Sequence, residues 1–86
     1  MNFRQLEAFC RVVDCGSFSM AAEDLGLSQP AVTFQIQALE KELAAVLLDR
    51  SPRRVLPTDS GRILYHHARA ILRQISAARQ EIDEVN

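Results

Sequence analysis

No charged side chain lies between Asp24 and Glu40, and the stretch inside that gap holds both a glycine and a proline. It reads Leu25-Gly26-Leu27-Ser28-Gln29-Pro30-Ala31-Val32-Thr33-Phe34-Gln35-Ile36-Gln37. Gly26 tolerates the positive φ of a tight turn. Ser28 carries a helix N-cap side chain, and Pro30 costs little in a first turn, where its missing N–H has no intrahelical partner. Leu25, Leu27, Val32 and Ile36 are spaced to fill the wedge between two helices, with Ala22 as the small residue where they cross. The segment therefore folds as helix, sharp turn, helix. The second helix opens with amides and hydroxyls, and its outer face is polar apart from Phe34. A helix start of this kind suits insertion into a groove where side chains meet base edges.

The flanking pattern supplies the rest of a small helical domain. Phe3, Leu6, Phe9, Cys10 and Val13 follow the i, i+3, i+4 spacing of a helix over residues 3–14, ended by Gly16. Ser17 or Ser19 caps the next helix, with Ser17 preferred; that helix, over 18–25, buries Phe18, Ala21, Ala22 and Leu25. The third helix is predicted to continue to Leu47 or Leu48, with Ile36, Leu39, Leu43, Val46 and Leu47 inward and Glu40, Lys41 and Glu42 in water. Asp49–Pro57 holds two prolines and three arginines and is not helical. Pro52 and Pro57 bracket Arg53-Arg54-Val55-Leu56, which suits a short two-stranded turn, or wing. Thr58 caps a further helix, with Asp59 at the positive end of its dipole.

Along that last helix Leu64, Ala68, Ile71, Ile75, Ala78, Ile82 and Val85 alternate steps of four and three, a heptad seam. From Thr58 to Val85 it would extend about 40 Å, longer than the rest of the chain can cover. The chain thus divides into a compact part, 1–57, and a linker or dimerisation helix, 58–86, whose stripe seeks a second copy. The compact part is itself near the size at which one core suffices, so support from a partner subunit is expected.

Composition narrows the function classes. The formal net charge of −1 gives no basic coat, which counts against nucleic acid, yet Arg50 to Arg62 holds four arginines against one acid. Local clustering is what phosphate contact needs, because screening limits electrostatic reach to about 8–10 Å. Cys10 and Cys15 are expected as reduced thiols, Cys10 in the core and Cys15 free to be exposed. No signal peptide and no long apolar run is visible, so a cytoplasmic protein with no membrane partner is expected. His66 and His67 are adjacent on a helix and point apart, so no metal site is expected. No acid–base–nucleophile set and no glycine-rich phosphate loop is present, which argues against an enzyme and against a cofactor. The rival class is a protein-interaction module, a helical dimer docking a protein on its uncharged third helix.

Taken together, Phe3-Arg4-Gln5-Leu6, Gly16-Ser17-Phe18, Ala21-Ala22, Leu27-Ser28-Gln29-Pro30-Ala31-Val32-Thr33, Gln35-Ile36, Leu39-Glu40, Leu43, Leu47, Arg50, Arg53, Leu56 and Thr58 to Gly61 resemble the amino-terminal domain of LysR-type transcriptional regulators. The resemblance implies a mainly α fold: a winged helix-turn-helix of three helices and a short two-stranded wing, then a long helix that pairs antiparallel with that of a second subunit. It also implies double-stranded DNA as partner, a homodimer, and a bacterial transcription regulator. Family members carry a larger ligand-sensing domain beyond this helix, so the chain resembles a DNA-binding fragment and any small-molecule effector would act through the part not included. Three positions depart from the family pattern. Phe34 replaces a usual Arg or Lys, Ala44 replaces a usual Gly, and Leu48 replaces a usual Phe; the last two read as packing variants.

The residues then take roles. Gln29 can pair bidentately with adenine, Thr33 offers a hydroxyl and a methyl, and Pro30 an apolar surface for a thymine methyl. Ser28 and the helix-end N–H groups can hold a phosphate, and Gln37 can reach the backbone. Phe34 either meets sugar edges or thymine methyls, or folds back on the domain. Arg53 and Arg54 suit a narrow A/T-rich minor groove. Arg50 either braces the wing through an ion pair or meets phosphate. Two-fold symmetry predicts a dyad-symmetric operator with half-sites about 34 Å apart, or a multiple of that.

Overall fold

Asn2 begins the first helix by reciprocal capping: its Oδ1 accepts from Gln5 N–H at 2.9 Å while Gln5 Oε1 accepts from Asn2 N–H at 3.1 Å. The structure, a computed structural model, describes residues 1–50 and 53–86; Pro52, expected to bracket the wing, lies outside them. The order is α1 (Phe3–Cys15), α2 (Phe18–Leu25), α3 (Gln29–Leu43), β1 (Leu48–Arg50), β2 (Val55–Pro57) and α4 (Asp59–Val85). Ser17 caps α2, its Oγ accepting from Met20 N–H at 3.2 Å. The α2–α3 turn closes through Gly26 at φ 69° and ψ 31°, a left-handed conformation in which a Cβ would crowd the following carbonyl. Leu27 N–H then donates back to Ala22 O at 2.9 Å.

Phe9, Val12, Val32, Ile36, Leu39 and Leu47 are fully buried at the centre. Each such side chain contributes about 1.5–3 kcal/mol of burial relative to exposure. Ala21 and Ala22 are buried where α2 meets its neighbours, as the small-residue argument requires. Leu27 departs from expectation. It is exposed rather than wedged between the helices, because the turn after Gly26 carries it outward to the start of α3.

The end of α3 also differs, and the cause is local. The helix stops at Leu43, not at Leu47 or Leu48, because Ala44 turns left-handed at φ 51° and ψ 42°. Ala45 N–H bonds to Glu40 O at 3.1 Å, closing the helix end. The Glu40 carboxylate, expected only to face water, accepts from Leu47 N–H at 2.8 Å and steers the chain into β1. Leu43 and Val46 are therefore exposed, Val46 at 67%, while Leu47 reaches the core from a non-helical segment. Ala44 is thus a conformational site, not a packing variant; Leu48, by contrast, is buried and does act through packing. Glycine adopts this conformation without the Cβ penalty of about 1–2 kcal/mol, partly offset by a more flexible unfolded chain. Ala44→Gly is expected to raise stability by about 0.5–1 kcal/mol, read as a higher midpoint in urea denaturation.

The wing is a two-stranded antiparallel ladder in the register Leu48↔Pro57, Asp49↔Leu56, Arg50↔Val55. Its strands lie outside the Arg53-Arg54 pair. Val55 N–H donates to Gly16 O at 3.1 Å, tying β2 to the α1–α2 turn. Thr58 Oγ1 accepts from Gly61 N–H at 3.0 Å and donates to Val46 O at 2.6 Å, so one hydroxyl caps α4 and holds the approach to the wing.

Candidate nucleic-acid interface

α3 presents its polar side outward from a fixed base. Val32, Ile36 and Leu39 have no exposed surface and anchor its inner face, while Ser28 Oγ accepts from Ala31 N–H at 3.2 Å at its start. On the opposite side Ser28, Gln29, Pro30, Phe34 and Gln37 are exposed and Thr33 is half-buried. Gln29, Thr33 and Gln37 recur at i, i+4, i+8 and form one row; Pro30 and Phe34 form a second beside it. The five of them line one shallow open concavity. Phe34 does not fold back: 68% of it is exposed.

The anion capacity of the helix start is narrower than the sequence suggested. Pro30 has no N–H, and those of Ala31 and Val32 go to Ser28 Oγ and Ser28 O, which leaves the Gln29 amide as the first-turn donor without an intrahelical acceptor. Ser28 Oγ accepts as the cap, and its O–H remains a donor.

The wing arginines separate. Arg53 is exposed at the bend before β2. The stem of Arg54 lies over the α1–α2 turn, so close that a Cβ on Gly16 would come within 2.9 Å of its Nε. The guanidinium of Arg50 sits over the ring of Phe18, 4.6 Å from its centroid. This cation–π contact, worth about 0.5–1 kcal/mol at an exposed site, braces the wing where the sequence left open an ion pair or a phosphate contact. Phe18 is buried in the core as read from the sequence; that its ring also meets the Arg50 guanidinium carries no sequence signal.

α4 begins against the domain and then leaves it. Ala68 has no exposed surface and packs within the domain rather than on the seam, while Leu64 is half-buried on the core and keeps part of its surface outward. They pack inward because α1 lies along this part of α4. Tyr65 Oη donates to Asp14 at 2.5 Å, and Arg69 lies 3.8 Å from the same carboxylate. The hydrogen bond to Asp14, with partial burial, raises the Tyr65 pKa. Burial and the nearby Asp14 charge push the Cys10 thiol up to about 11, leaving it neutral; Cys15 is half-buried. Beyond this region Ile71, Ala78, Ile82 and Val85 are exposed and Ile75 is half-buried, joined on the exposed side by Ile63. Among the described residues no His, Cys, Asp or Glu group is arranged to hold a metal, and no helix is long and apolar enough to cross a membrane.

Three packed helices with a two-stranded wing and an outward second helix of the turn define a winged helix-turn-helix DNA-binding domain. The family model described as "Bacterial regulatory helix-turn-helix protein, lysR family" matches residues 3–62, and the chain belongs to that family. It is 52% identical over 85 residues to the nitrogen assimilation regulatory protein nac of Escherichia coli (strain K12), covering 99% of this chain and 28% of that protein. The same-named protein of Klebsiella aerogenes is 47% identical over 85 residues, with the same coverage of 99% and 28%. The chain therefore spans little more than a quarter of the length of these relatives. Among solved structures, the BenM_DBD/catB site 1 DNA complex aligns with a TM-score of 0.94 at 35% identity, over 99% of this chain and 94% of that one. The CbnR_DBD–DNA complex aligns with a TM-score of 0.89 at 39% identity, over 99% and 98%. The chain is a regulatory DNA-binding domain and not an enzyme.

Proposed function

We propose that this domain is a sequence-specific reader of a dyad-symmetric, A/T-rich operator, acting as a homodimer within a longer transcription regulator. The observation that carries the reading is the outward row Gln29, Thr33 and Gln37 on a helix whose inner face is fully buried. A helix fixed by its buried face needs little backbone ordering on contact, so hydrogen bonds from these side chains to base edges count toward discrimination. α3 enters the major groove; Gln29 faces adenine, and Thr33 faces a base or phosphate. Arg53, with Arg50 and Arg54 behind it, brings positive charge toward the adjacent minor groove. The structures aligned above, solved as DNA complexes at 35% and 39% identity, support this placement.

The dimer forms along the distal part of α4 through Ile71, Ile75, Ala78, Ile82 and Val85, with Ile63 continuing the stripe toward the domain. A projecting helix with apolar residues in water gains stability by pairing, and an antiparallel pair sets two copies of α3 at a fixed separation. The whole protein works in the cytoplasm, where an effector-binding domain following α4 adjusts the dimer.

Fluorescence-anisotropy titration of A/T-rich palindromic duplexes at several salt concentrations tests the reading. Because the outward face of α3 from Gln29 to Gln37 carries no cation, few phosphates are neutralised, and the slope of log K against log salt is expected to be shallow, about −2 to −5 for the dimer. Preference for the palindrome over a scrambled duplex is expected at every salt. A response flat to both sequence and salt rejects the proposal.

A further inference from the structure

The exposed ring on α3 calls for an occupant of its own. Phe34 is 68% exposed on the first half of α3, where the other outward side chains, as far as Gln37, are amides, a hydroxyl and a proline. It lies one turn beyond Pro30, beside the Gln29–Thr33–Gln37 row, and all five share one concave surface. No charged side chain stands between Asp24 and Glu40, so the face has no cation with which to grip phosphate. A phenyl ring has no hydrogen bond to give or accept, and it therefore cannot distinguish the polar groups of base edges. The apolar group that base edges present in a major groove is the thymine C5-methyl. Helical side chains lean toward the helix N-terminus, which carries the ring toward Pro30 and the groove floor. The buried inner face and capped start of α3 hold it there before any ligand arrives.

We propose that Phe34 is a specificity-determining residue that reads a thymine methyl in each half-site, in the groove beside the base met by Gln29 and Thr33. This rests on the reading of α3 as the major-groove helix and adds the chemical group recognised. Withdrawal of the ring from water is the driving force, with Pro30 forming the adjoining apolar wall. The contact distinguishes thymine from uracil, which has the same hydrogen-bonding edge and lacks only the methyl. It also distinguishes thymine from cytosine, which lacks the methyl and presents an amino donor instead.

The test begins with a duplex selected by this chain from a library with a randomised centre. Each thymine of that duplex is then replaced in turn by deoxyuridine, and binding is measured for the wild type and for Phe34→Ala. Phe34 is exposed, so the variant keeps the fold, and circular dichroism verifies it. Expected is a loss of about fourfold in wild-type affinity at one thymine per half-site, the effect of one methyl returned to water. Phe34→Ala is expected to bind the thymine and uracil duplexes equally and the parent duplex about tenfold more weakly. Wild-type indifference to uracil at every thymine overturns the inference alone. So does a uracil effect that persists in Phe34→Ala, or a Phe34→Ala loss equal on all duplexes, the signature of a ring against sugar. Failure of the selection to enrich any sequence rejects the DNA-reading proposal, and this inference with it.

Discussion

Gly61→Ala is expected to destabilise the domain by about 3 kcal/mol or more, among the largest effects of any single methyl added to this chain. A Cβ at this position would lie 2.0 Å from Leu47 O and 3.0 Å from Leu47 C. Both are backbone atoms that cannot rotate aside. Leu47 O is also committed, accepting from Thr58 N–H at 3.0 Å, while Thr58 Oγ1 caps Gly61 N–H. Relieving the clash means separating α4 from the strand approach, which breaks that bond, the cap and the packing of Leu47 together. For a chain of this size, about 3 kcal/mol corresponds to a melting temperature lowered by about 12 °C or more. Thermal unfolding followed by circular dichroism measures it, with Ser60→Ala, at an exposed neighbour, as the control. A melting temperature unchanged from wild type would show that α4 docks with more slack than these distances allow.

Gln29→Ala is expected to remove sequence discrimination while leaving the fold intact. A bidentate amide–adenine pair is worth about 1–3 kcal/mol, so the ratio of specific to scrambled binding should fall about 5- to 150-fold for one half-site. Two half-sites in one dimer compound the loss. Binding to scrambled DNA should change little, because the amide side chain holds no phosphate in this reading. Gln29 is exposed and its side chain supports no core contact, so the unfolding midpoint should stay within about 0.5 kcal/mol of wild type. Competition titration against scrambled duplex gives the first quantity and urea denaturation the second. An unchanged ratio would remove Gln29 from the base-reading surface. An equal loss on both duplexes would assign it to the phosphate backbone instead.

Much of the architecture was legible because it is written in short-range chemistry. Ser17, Ser28 and Thr58 are caps wherever a helix begins, since their oxygens reach an N–H three residues on. Gly26 marks its turn because few other residues accept a left-handed backbone there. Ala44 hid the end of α3 for the same reason inverted: an alanine is a strong helix former and gives no sign of turning left-handed. Leu43, Val46 and Leu47 continued the helical spacing by coincidence, with Leu47 kept apolar by its place in the core and Val46 left in water.

The candidate surface divides along the same line. That α3 would be polar outside and apolar inside followed from periodicity, and the row Gln29, Thr33, Gln37 follows from helix geometry alone. Long-range neighbours could not be read in the same way. Arg50 finds the ring of Phe18, Arg54 lies across Gly16, and the Glu40 carboxylate takes Leu47 N–H, each by way of the chain's path between elements. The heptad stripe shows the limit most clearly. A spacing of three and four marks Leu64 and Ala68 as apolar but is identical for a partner helix and for the chain's own α1. By itself, then, the sequence determined where helices start, which faces are greasy and which helix faces outward, because caps and periodicity act within a few residues. Only the tertiary structure decided what those faces meet, since two positions far apart in the chain become neighbours solely through the crossing of the elements that carry them.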